Sequence, residues 1–291
     1  MLTFATVYDD ADIASIYDAA AMRDICDSLE AYRVRLSYSM EGTTILSIFD
    51  FFGRIFNSLS TSLTKFWKSV KRGELKKYCD DHFATIKEIE SRNIDDPIFN
   101  AEIDIPSGMT ASYTKAGQFL LDIFKQLDLK AILSTVRSTL KQFCTMVHRE
   151  QDVTVQVGSF AAVMNSKKNF VTQKAAEMEK AFQGGEKVTR SFKQEFKSVG
   201  ELRSTREVII SAENYLDDVA SISKLTDDIT AIISDIESNK DTTIISSAAE
   251  SLSSSAEILA KTIDLFGMSI MNLMSLAHNY TLIYNKLRQG V

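Results

Sequence analysis

A run of regularly spaced apolar residues, starting at Ile245, does most to constrain what this chain can fold into. Apolar side chains recur there with alternating steps of four and three residues over six heptads. The full series is Ile245, Ala249, Leu252, Ala256, Leu259, Ile263, Phe266, Ile270, Leu273, Ala277, Tyr280, Tyr284 and Leu287. This spacing puts every member on one stripe of an α-helix and is typical of a coiled-coil seam. A helix over residues 243–288 would be about 69 Å long at 1.5 Å per residue.

The segment before this helix carries a similar stripe over residues 208–236, and the polar residues 238–241 separate the two. We therefore predict an antiparallel helical hairpin over residues 201–288. The second stripe is longer than the rest of the domain can easily cover, so we expect it to drive self-association, although such a seam can also close within one chain. The candidate residues of this seam are Ile245, Leu252, Leu259, Ile263, Phe266, Ile270, Leu273, Tyr280 and Tyr284.

Few residues in the chain favour turns. It has 2 prolines and 11 glycines among 291 residues, whereas average usage predicts roughly 15 and 20. β-Sandwiches, barrels and Rossmann folds need more turns than this. The sequence therefore predicts an all-α, elongated helical bundle with at most two short β-strands. The strand candidates are the alternating Ile103 and Ile105 and the alternating Val153, Val155 and Val157, which could pair with each other.

Both prolines lie in one segment, residues 92–112, together with Gly108. Because proline and glycine interrupt helices, this segment is the best candidate for a boundary in the chain. We predict a helical N-terminal domain over residues 1–91, a linker over residues 92–112, and a helical body over residues 113–291.

An aromatic amphipathic helix is predicted over residues 44–72. Its apolar face includes Phe49, Phe52, Phe56, Phe66 and Trp67, and its end is basic, with Lys65, Lys68, Lys71 and Arg72. A helix of this kind suits a membrane interface, with aromatic rings at the acyl boundary and bases at the headgroups. The other interpretation is a core helix, which we favour because soluble monomers rarely expose apolar patches larger than about 300–600 Å².

Charge is unevenly distributed along the chain, whose net charge is −6. Residues 54–77 carry seven bases and one acid, residues 167–207 ten bases and six acids, and residues 213–264 eleven acids and three bases. These stretches indicate solvated helix faces, charge-complementary packing or assembly. Nucleic acid is another candidate partner of the basic stretches, because Phe170, Phe182, Phe192 and Phe196 interleave with bases. The helical spacing of the last two favours a core stripe instead.

No motif in the sequence specifies a reaction. Two cysteine–histidine pairs, Cys79 with His82 and Cys144 with His148, could together supply four zinc ligands. They come from helices on either side of the predicted linker, so we predict no metal site. Residues 184–189 lack the spacing of a phosphate-binding loop. We therefore expect a non-enzymatic protein without cofactor or small-molecule substrate.

The sequence also bears on location. Three cysteines in 291 residues suit a reducing compartment rather than a disulfide scaffold. No signal peptide is visible, and the apolar stretches are interrupted by charges, serine or threonine before they reach the ~18 residues of a membrane span. We expect no transmembrane helix.

The tract DICDSLEAYRVRLSYSMEG at residues 24–42, the aromatic helix ILSIFDFFGRIFNSLSTSLTKFWKSVKR and the long Ser/Thr-rich helices resemble internal or structural virion proteins of large tailed bacteriophages. The similarity covers residues 20–90. It implies a virion component that associates with its own copies and with other virion proteins, in the virion or in the host cytoplasm during assembly, and that is packaged with DNA or ejected with it. The alternative function is a membrane-active helical protein, a pore-former or a delivered effector, that inserts helix 44–72.

Overall fold

The computed structural model describes residues 43–69, 74–106, 112–149, 154–182, 187–215, 219–238, 243–244 and 246–290, with residues 25, 27, 28 and 31. Helices form almost all of the described chain. They are α1 (Ile45–Ser69), α2 (Glu74–Asp81), α3 (Phe83–Ser91), α4 (Tyr113–Leu127), α5 (Leu129–His148), α6 (Thr154–Ala181), α7 (Phe192–Glu195), α8 (Val199–Asn214), α9 (Val219–Glu237) and α10 (Ser246–Arg288). The all-α prediction is confirmed.

Helix α10 is the central element of the bundle. It packs chiefly against α6 and also contacts α4, α1, α8 and α3. Most of its 43 residues are buried, because small and apolar side chains lie on nearly every side of it. A helix that is apolar all round needs several neighbours to remove it from water. Its length of about 64 Å exceeds the ~49 Å diameter of a compact sphere of this chain length, which makes the bundle elongated.

The packing of α9 differs from the predicted hairpin over residues 201–288. Helix α9 lies between α1 and α5, whereas α8, the other helix of residues 199–237, packs mainly on α4 and to a smaller extent on α10. The physical reason is the width of the apolar surfaces. Helix α9 has one narrow stripe, with Ile222, Ile229, Ile233 and Ile236 buried, and this stripe fits the groove between two neighbouring helices. Helix α10 is covered from all sides by others.

Two small antiparallel strand pairs are described, one more than expected. Strand β1 (Thr43–Thr44) pairs with β4 (Thr243–Ile244), and strand β2 (Glu102–Pro106) pairs with β3 (Lys187–Ser191), with Ile103 opposite Arg190. The alternation at Ile103 and Ile105 therefore does mark a strand. The second expected strand is wrong, because Val155 and Val157 lie in the first turn of α6. A run of three alternating valines is too short to distinguish a strand from a helix start.

The described part of the predicted linker, residues 92–106 and 112, is packed into the bundle. Asp96 caps a short 3₁₀ helix, Pro97–Asn100, by accepting a hydrogen bond from Ile98 N, and Phe99 is fully buried with its ring 4.9 Å from that of Phe192. Proline is favoured in the first turn of a helix because its missing N–H has no helical partner there. Pro97 therefore begins a turn, and one continuous core includes residues from both sides of this segment.

Asp128 forms the corner between α4 and α5. Its backbone has a φ of 40°, in the left-handed region, and its side chain accepts a hydrogen bond from Ala131 N at 3.2 Å. Aspartate tolerates this conformation better than most residues because its short side chain bonds locally. One residue thus ends α4 and caps α5.

Candidate functional sites

The predicted oligomer seam lies in the interior of a single chain. Its described members are at most 5% exposed: Leu252, Leu259, Ile263, Phe266, Ile270, Leu273, Tyr280 and Tyr284. Ile245 lies outside the described residues. The stripe is covered by α6, α4, α1 and α8, and Tyr280 donates a hydrogen bond to Leu202 O of α8 at 3.0 Å. This stripe therefore offers no surface to a second copy while the bundle is closed.

The aromatic face of α1 belongs to the core wherever its side chains are described. Phe49, Phe52 and Phe56 are fully buried, and the Phe49 ring lies 5.2 Å from that of Phe143. Lys65, Phe66, Trp67 and Lys68 lie in α1 with undescribed side chains, and Lys71 and Arg72 lie outside the described residues. The three buried phenylalanines fit the core interpretation of this helix.

A buried carboxylate, Glu90 of α3, binds partners from two other helices, α8 and α10. Its side chain is 6% exposed, and its oxygens accept hydrogen bonds from Nε of Arg203 at 3.1 Å and from two nitrogens of Arg206 at 3.0 and 3.1 Å. The Tyr284 hydroxyl donates to Oε1 at 2.6 Å. Because an ionised carboxylate needs several donors to offset the loss of water, this arrangement stabilises a charge that would otherwise be costly to bury.

The tyrosines near Glu90 are held in their protonated form. Burial, together with the hydrogen bond to Glu90, raises the pKa of Tyr284 above its ordinary value, and burial raises the pKa of Tyr280 well above it. Their rings pack with centroids 5.0 Å apart. Both hydroxyls therefore act as hydrogen-bond donors that tie α10 to α3 and α8, which is a structural task.

A second polar cluster joins α5 to α9. Asp235 Oδ2 accepts a hydrogen bond from Cys144 Sγ at 3.0 Å and lies 3.2 Å from His148 Nε2. These two bonds lower the pKa of Asp235, whereas burial first, and then the bond to Asp235, raises the pKa of the Cys144 thiol to about 12. Over the described chain, this is the one group of three cysteine, histidine or acidic side chains close enough to share a metal ion.

The other cysteine–histidine pair does not join that cluster. Burial raises the pKa of Cys79 to about 11, and the His82 ring packs edge-on against Tyr78 with centroids 4.7 Å apart. The Tyr78 hydroxyl bonds Asn285 Oδ1 at 2.6 Å. The four-ligand combination of both pairs is therefore not assembled.

Helix α10 is also long and apolar enough to cross a membrane, by length and composition, over Ala248–Arg288. Residues 265–285, 21 in all, contain no Asp, Glu, Lys or Arg. Of the most apolar window of this helix, 67% is buried inside the bundle. The apolar stretch is longer than was expected from the sequence, because serine and threonine were treated there as interruptions. On a helix these side chains bond back to carbonyls one turn earlier, as Ser269 does to Leu265 O and Thr281 to Ala277 O.

The phenylalanines of the basic stretch 167–207 are not arranged for stacking on nucleic-acid bases. Phe192 and Phe196 are at most 1% exposed and stack on each other at 4.9 Å, and Phe170 and Phe182 are half-buried against the core. Basic side chains remain exposed on this stretch, including Arg190 and Arg203. They can contact phosphate groups, whereas the four phenylalanine rings are not placed to stack on nucleobases.

Comparisons with known proteins place the chain in no family. No protein-family model matches it, and no curated protein or solved structure matches it.

Two residues that organise the polar clusters, Glu90 and Asp235, have no signal in the sequence. Each is one acid among many on an amphipathic helix, and its partners lie at least 87 positions away, as His148 does from Asp235. Only Cys144 and His148 show a local pattern, through their i, i+4 spacing.

Proposed function

We propose that this chain is a non-enzymatic structural protein, a preformed helical part of a larger assembly. The proposal rests on the hydrogen bonding of Glu90. Five hydrogen bonds, including that from Arg203 Nη2 to the carbonyl of Glu90 itself, connect it to α8 and α10. A titratable group whose lone pairs are all engaged by its own chain holds helices in place and leaves little capacity for proton transfer to a substrate.

Other charged side chains also hold helices together across the bundle. Arg137 of α5 binds Asp228 of α9 at 3.0 Å, and Glu195 of α7 accepts a hydrogen bond from the Tyr113 backbone at 2.9 Å. Each contact connects elements far apart in sequence. Contacts of this kind suit a component of an assembly whose shape must be fixed before it binds its neighbours.

The form that we propose for this role is a bacteriophage virion component, which follows from the resemblance of residues 20–90. Partners would be copies of this chain and other virion proteins. Because the α10 stripe is covered, the contacts would use exposed charged faces, where acidic α9 and the basic stretch 187–206 are complementary in sign. Association through such faces weakens as salt screens it.

Mass photometry at low and at high salt tests this proposal. We expect discrete oligomers at low salt, a shift toward monomer at high salt, and no change when anionic vesicles are added. A chain that stays monomeric at every salt and protein concentration and binds only vesicles would contradict it.

The second candidate is a membrane-active protein, and α10 favours it. Several polar side chains of α10 are satisfied by the helix itself, since Thr262 bonds Ile258 O at 2.7 Å and Asn279 bonds Ser275 O at 2.8 Å. A helix that carries its own hydrogen-bond partners can enter lipid without leaving those donors unpaired. The inserting segment would then be α10 rather than helix 44–72, and the bundle would have to open to release it.

A reversible lock on α10 tests the second candidate. Asn272 of α10 contacts Met178 of α6 at 3.3 Å through the ends of their side chains, so cysteines at both positions, with the native cysteines replaced by alanine, can be joined by a bis-maleimide that carries a disulfide in its spacer, which should hold α10 in place until it is reduced. Membrane activity through α10 would give vesicle leakage only after reduction. Under the structural proposal, neither state causes leakage. The matched control is the same background with only Met178→Cys.

A further inference from the structure

We propose that Cys144, His148 and Asp235 form a site for a divalent metal ion, Zn²⁺ by the chemistry of its ligands, at the contact between α5 and α9. The three potential ligand atoms, Sγ, Nε2 and a carboxylate oxygen, all lie within 4.8 Å of one another. This proposal goes beyond the structural role and does not depend on it.

The distances in the cluster are close to those that a tetrahedral ion needs. Oδ2 of Asp235 lies 3.0 Å from Cys144 Sγ and 3.2 Å from His148 Nε2. Two ligands bound to zinc at about 2.0–2.3 Å in a tetrahedron are about 3.3–3.6 Å apart. These two distances would therefore have to open by only a few tenths of an ångström, and the third pair, Sγ of Cys144 and Nε2 of His148, lies within 4.8 Å. The proton on the Cys144 sulfur would pass to solvent as the sulfur becomes a thiolate ligand.

The backbone supports this arrangement. Cys144 and His148 are four residues apart on α5, so their side chains emerge on the same face one turn apart. Asp235 is on the facing side of α9, which packs along α5. The ligands are therefore held by two helices whose relative position is fixed by their packing, with a second bridge between the same helices at Arg137 and Asp228.

The choice of zinc follows from the ligand types and their exposure. Thiolate and imidazole favour zinc over magnesium and calcium, which prefer oxygen. Cys144 is 7% exposed, whereas the side chains of His148 and Asp235 are 44% and 55% exposed. The sulfur is thus anchored inside while the other two ligands face solvent, which gives an ion a route in and leaves a fourth position for water.

Zinc at this site would clamp α9 onto α5. Because the unfolded chain does not hold the three ligands together, binding would stabilise the folded state. Free Zn²⁺ at about one hundred times its Kd should raise the unfolding temperature by roughly 4 °C.

The first test is titration of the metal-free wild type with Co²⁺, whose thiolate complexes absorb in the near ultraviolet. We expect this absorption to saturate at one ion per chain and to disappear when Zn²⁺ displaces it. Cys144→Ser should abolish the absorption. Asp235→Asn and His148→Gln, at exposed positions where folding is checked by circular dichroism, should each weaken Zn²⁺ binding at least tenfold.

Two matched controls separate the site from general metal binding. Asp227→Asn removes an exposed acid about two turns earlier on α9 that is not part of the bridge to Arg137 of α5, and Cys26→Ala with Cys79→Ala leaves Cys144 as the last cysteine; both should bind like wild type. The proposal fails if wild type shows no thiolate–cobalt absorption. It also fails if Cys144→Ser retains it, or if Asp227→Asn lowers the affinity as much as Asp235→Asn.

Discussion

The hydroxyl of Tyr284 lies 2.6 Å from Oε1 of Glu90, although 194 positions separate the two residues in the chain. The contact connects α3 to the central helix α10 and supplies the buried carboxylate with a donor besides Arg203 and Arg206. A buried acceptor near the start of the bundle is thus matched with a donor on its last helix.

Removing this hydroxyl should destabilise the protein. Tyr284→Phe leaves the ring in place and deletes one hydrogen bond to a charged group, so we expect a loss of about 1.5–3 kcal/mol in the free energy of unfolding. Glu90→Gln leaves Arg206 without its counter-charge, for which about 3–5 kcal/mol is expected. Urea denaturation measures both. Arg92→Ala, which breaks surface pairs with Glu88 and Asp96, is the control and should cost under about 1 kcal/mol.

Alkaline pH should weaken the fold. Burial raises the pKa of Tyr280 and Tyr284 above the value near 10 that each has in the unfolded chain. Between the unfolded and folded pKa values the unfolded state has lost protons that the folded state keeps, so stability falls as pH rises above about 10. Burial raises the pKa of Cys79 from its ordinary value of 9.0 to about 11. Its thiol therefore also lowers the stability of the fold as pH rises, starting near pH 9.

The measurement is the unfolding temperature at pH values from about 8 to 11. It should fall toward the alkaline end, and the fall should be smaller in Tyr284→Phe than in wild type. An unfolding temperature that stays constant over this range would show that these tyrosines are not held protonated.

Substitutions in the α10 stripe should affect folding rather than association. Leu259 and Ile263 are fully buried within one chain, so Leu259→Ala or Ile263→Ala should each cost about 2–5 kcal/mol through lost contacts and a cavity. Mass photometry of the folded fraction should show an unchanged mass. Glu250→Ala, at an exposed position of the same helix, serves as the control. A lower oligomer mass with unchanged stability would instead support an intermolecular seam.

Neighbouring phenylalanines of α1 should differ sharply in their contribution. Phe52 is fully buried and its ring lies 5.8 Å from that of Phe160, whereas Phe51 is half-buried beside Arg54. Phe52→Ala should cost about 3–5 kcal/mol, and Phe51→Ala about 1 kcal/mol. Thermal unfolding compares them. Equal losses, or vesicle binding that depends on Phe52 in the native protein, would contradict a core role for this face.

Periodicity in the sequence predicted the helices well and their partners poorly. The stripe from Leu252 to Tyr284 was expected to be buried, since an apolar side chain on every turn of a long helix must leave water. What covers it was not predictable, because α6 and α4 present ordinary amphipathic faces that would fit several neighbours. The strand at Ile103 was expected, but its partner at Arg190 lies after three helices, α4, α5 and α6, and has no alternating apolar pattern.

The polar clusters were predictable only in part. The i, i+4 spacing of Cys144 and His148 was visible, and it led to a comparison with the wrong pair, Cys79 and His82. Asp235 completes the cluster from another helix. Its position follows from how α9 packs between α1 and α5, which depends on the shapes of three helices together and has no local signature.

The central helix α10 comes later in the sequence than all the helices that surround it. During synthesis, α1 through α9 leave the ribosome while the helix that fills the space among α6, α4 and α1 is still untranslated. The nascent chain must hold its apolar faces in provisional contacts until residues 246–288 emerge, although the strand pair of Thr43–Thr44 with Thr243–Ile244 can close earlier, because both strands precede α10 in the sequence. Folding to the final structure is therefore an event that follows translation of α10, and it makes the incomplete chain the species most exposed to aggregation.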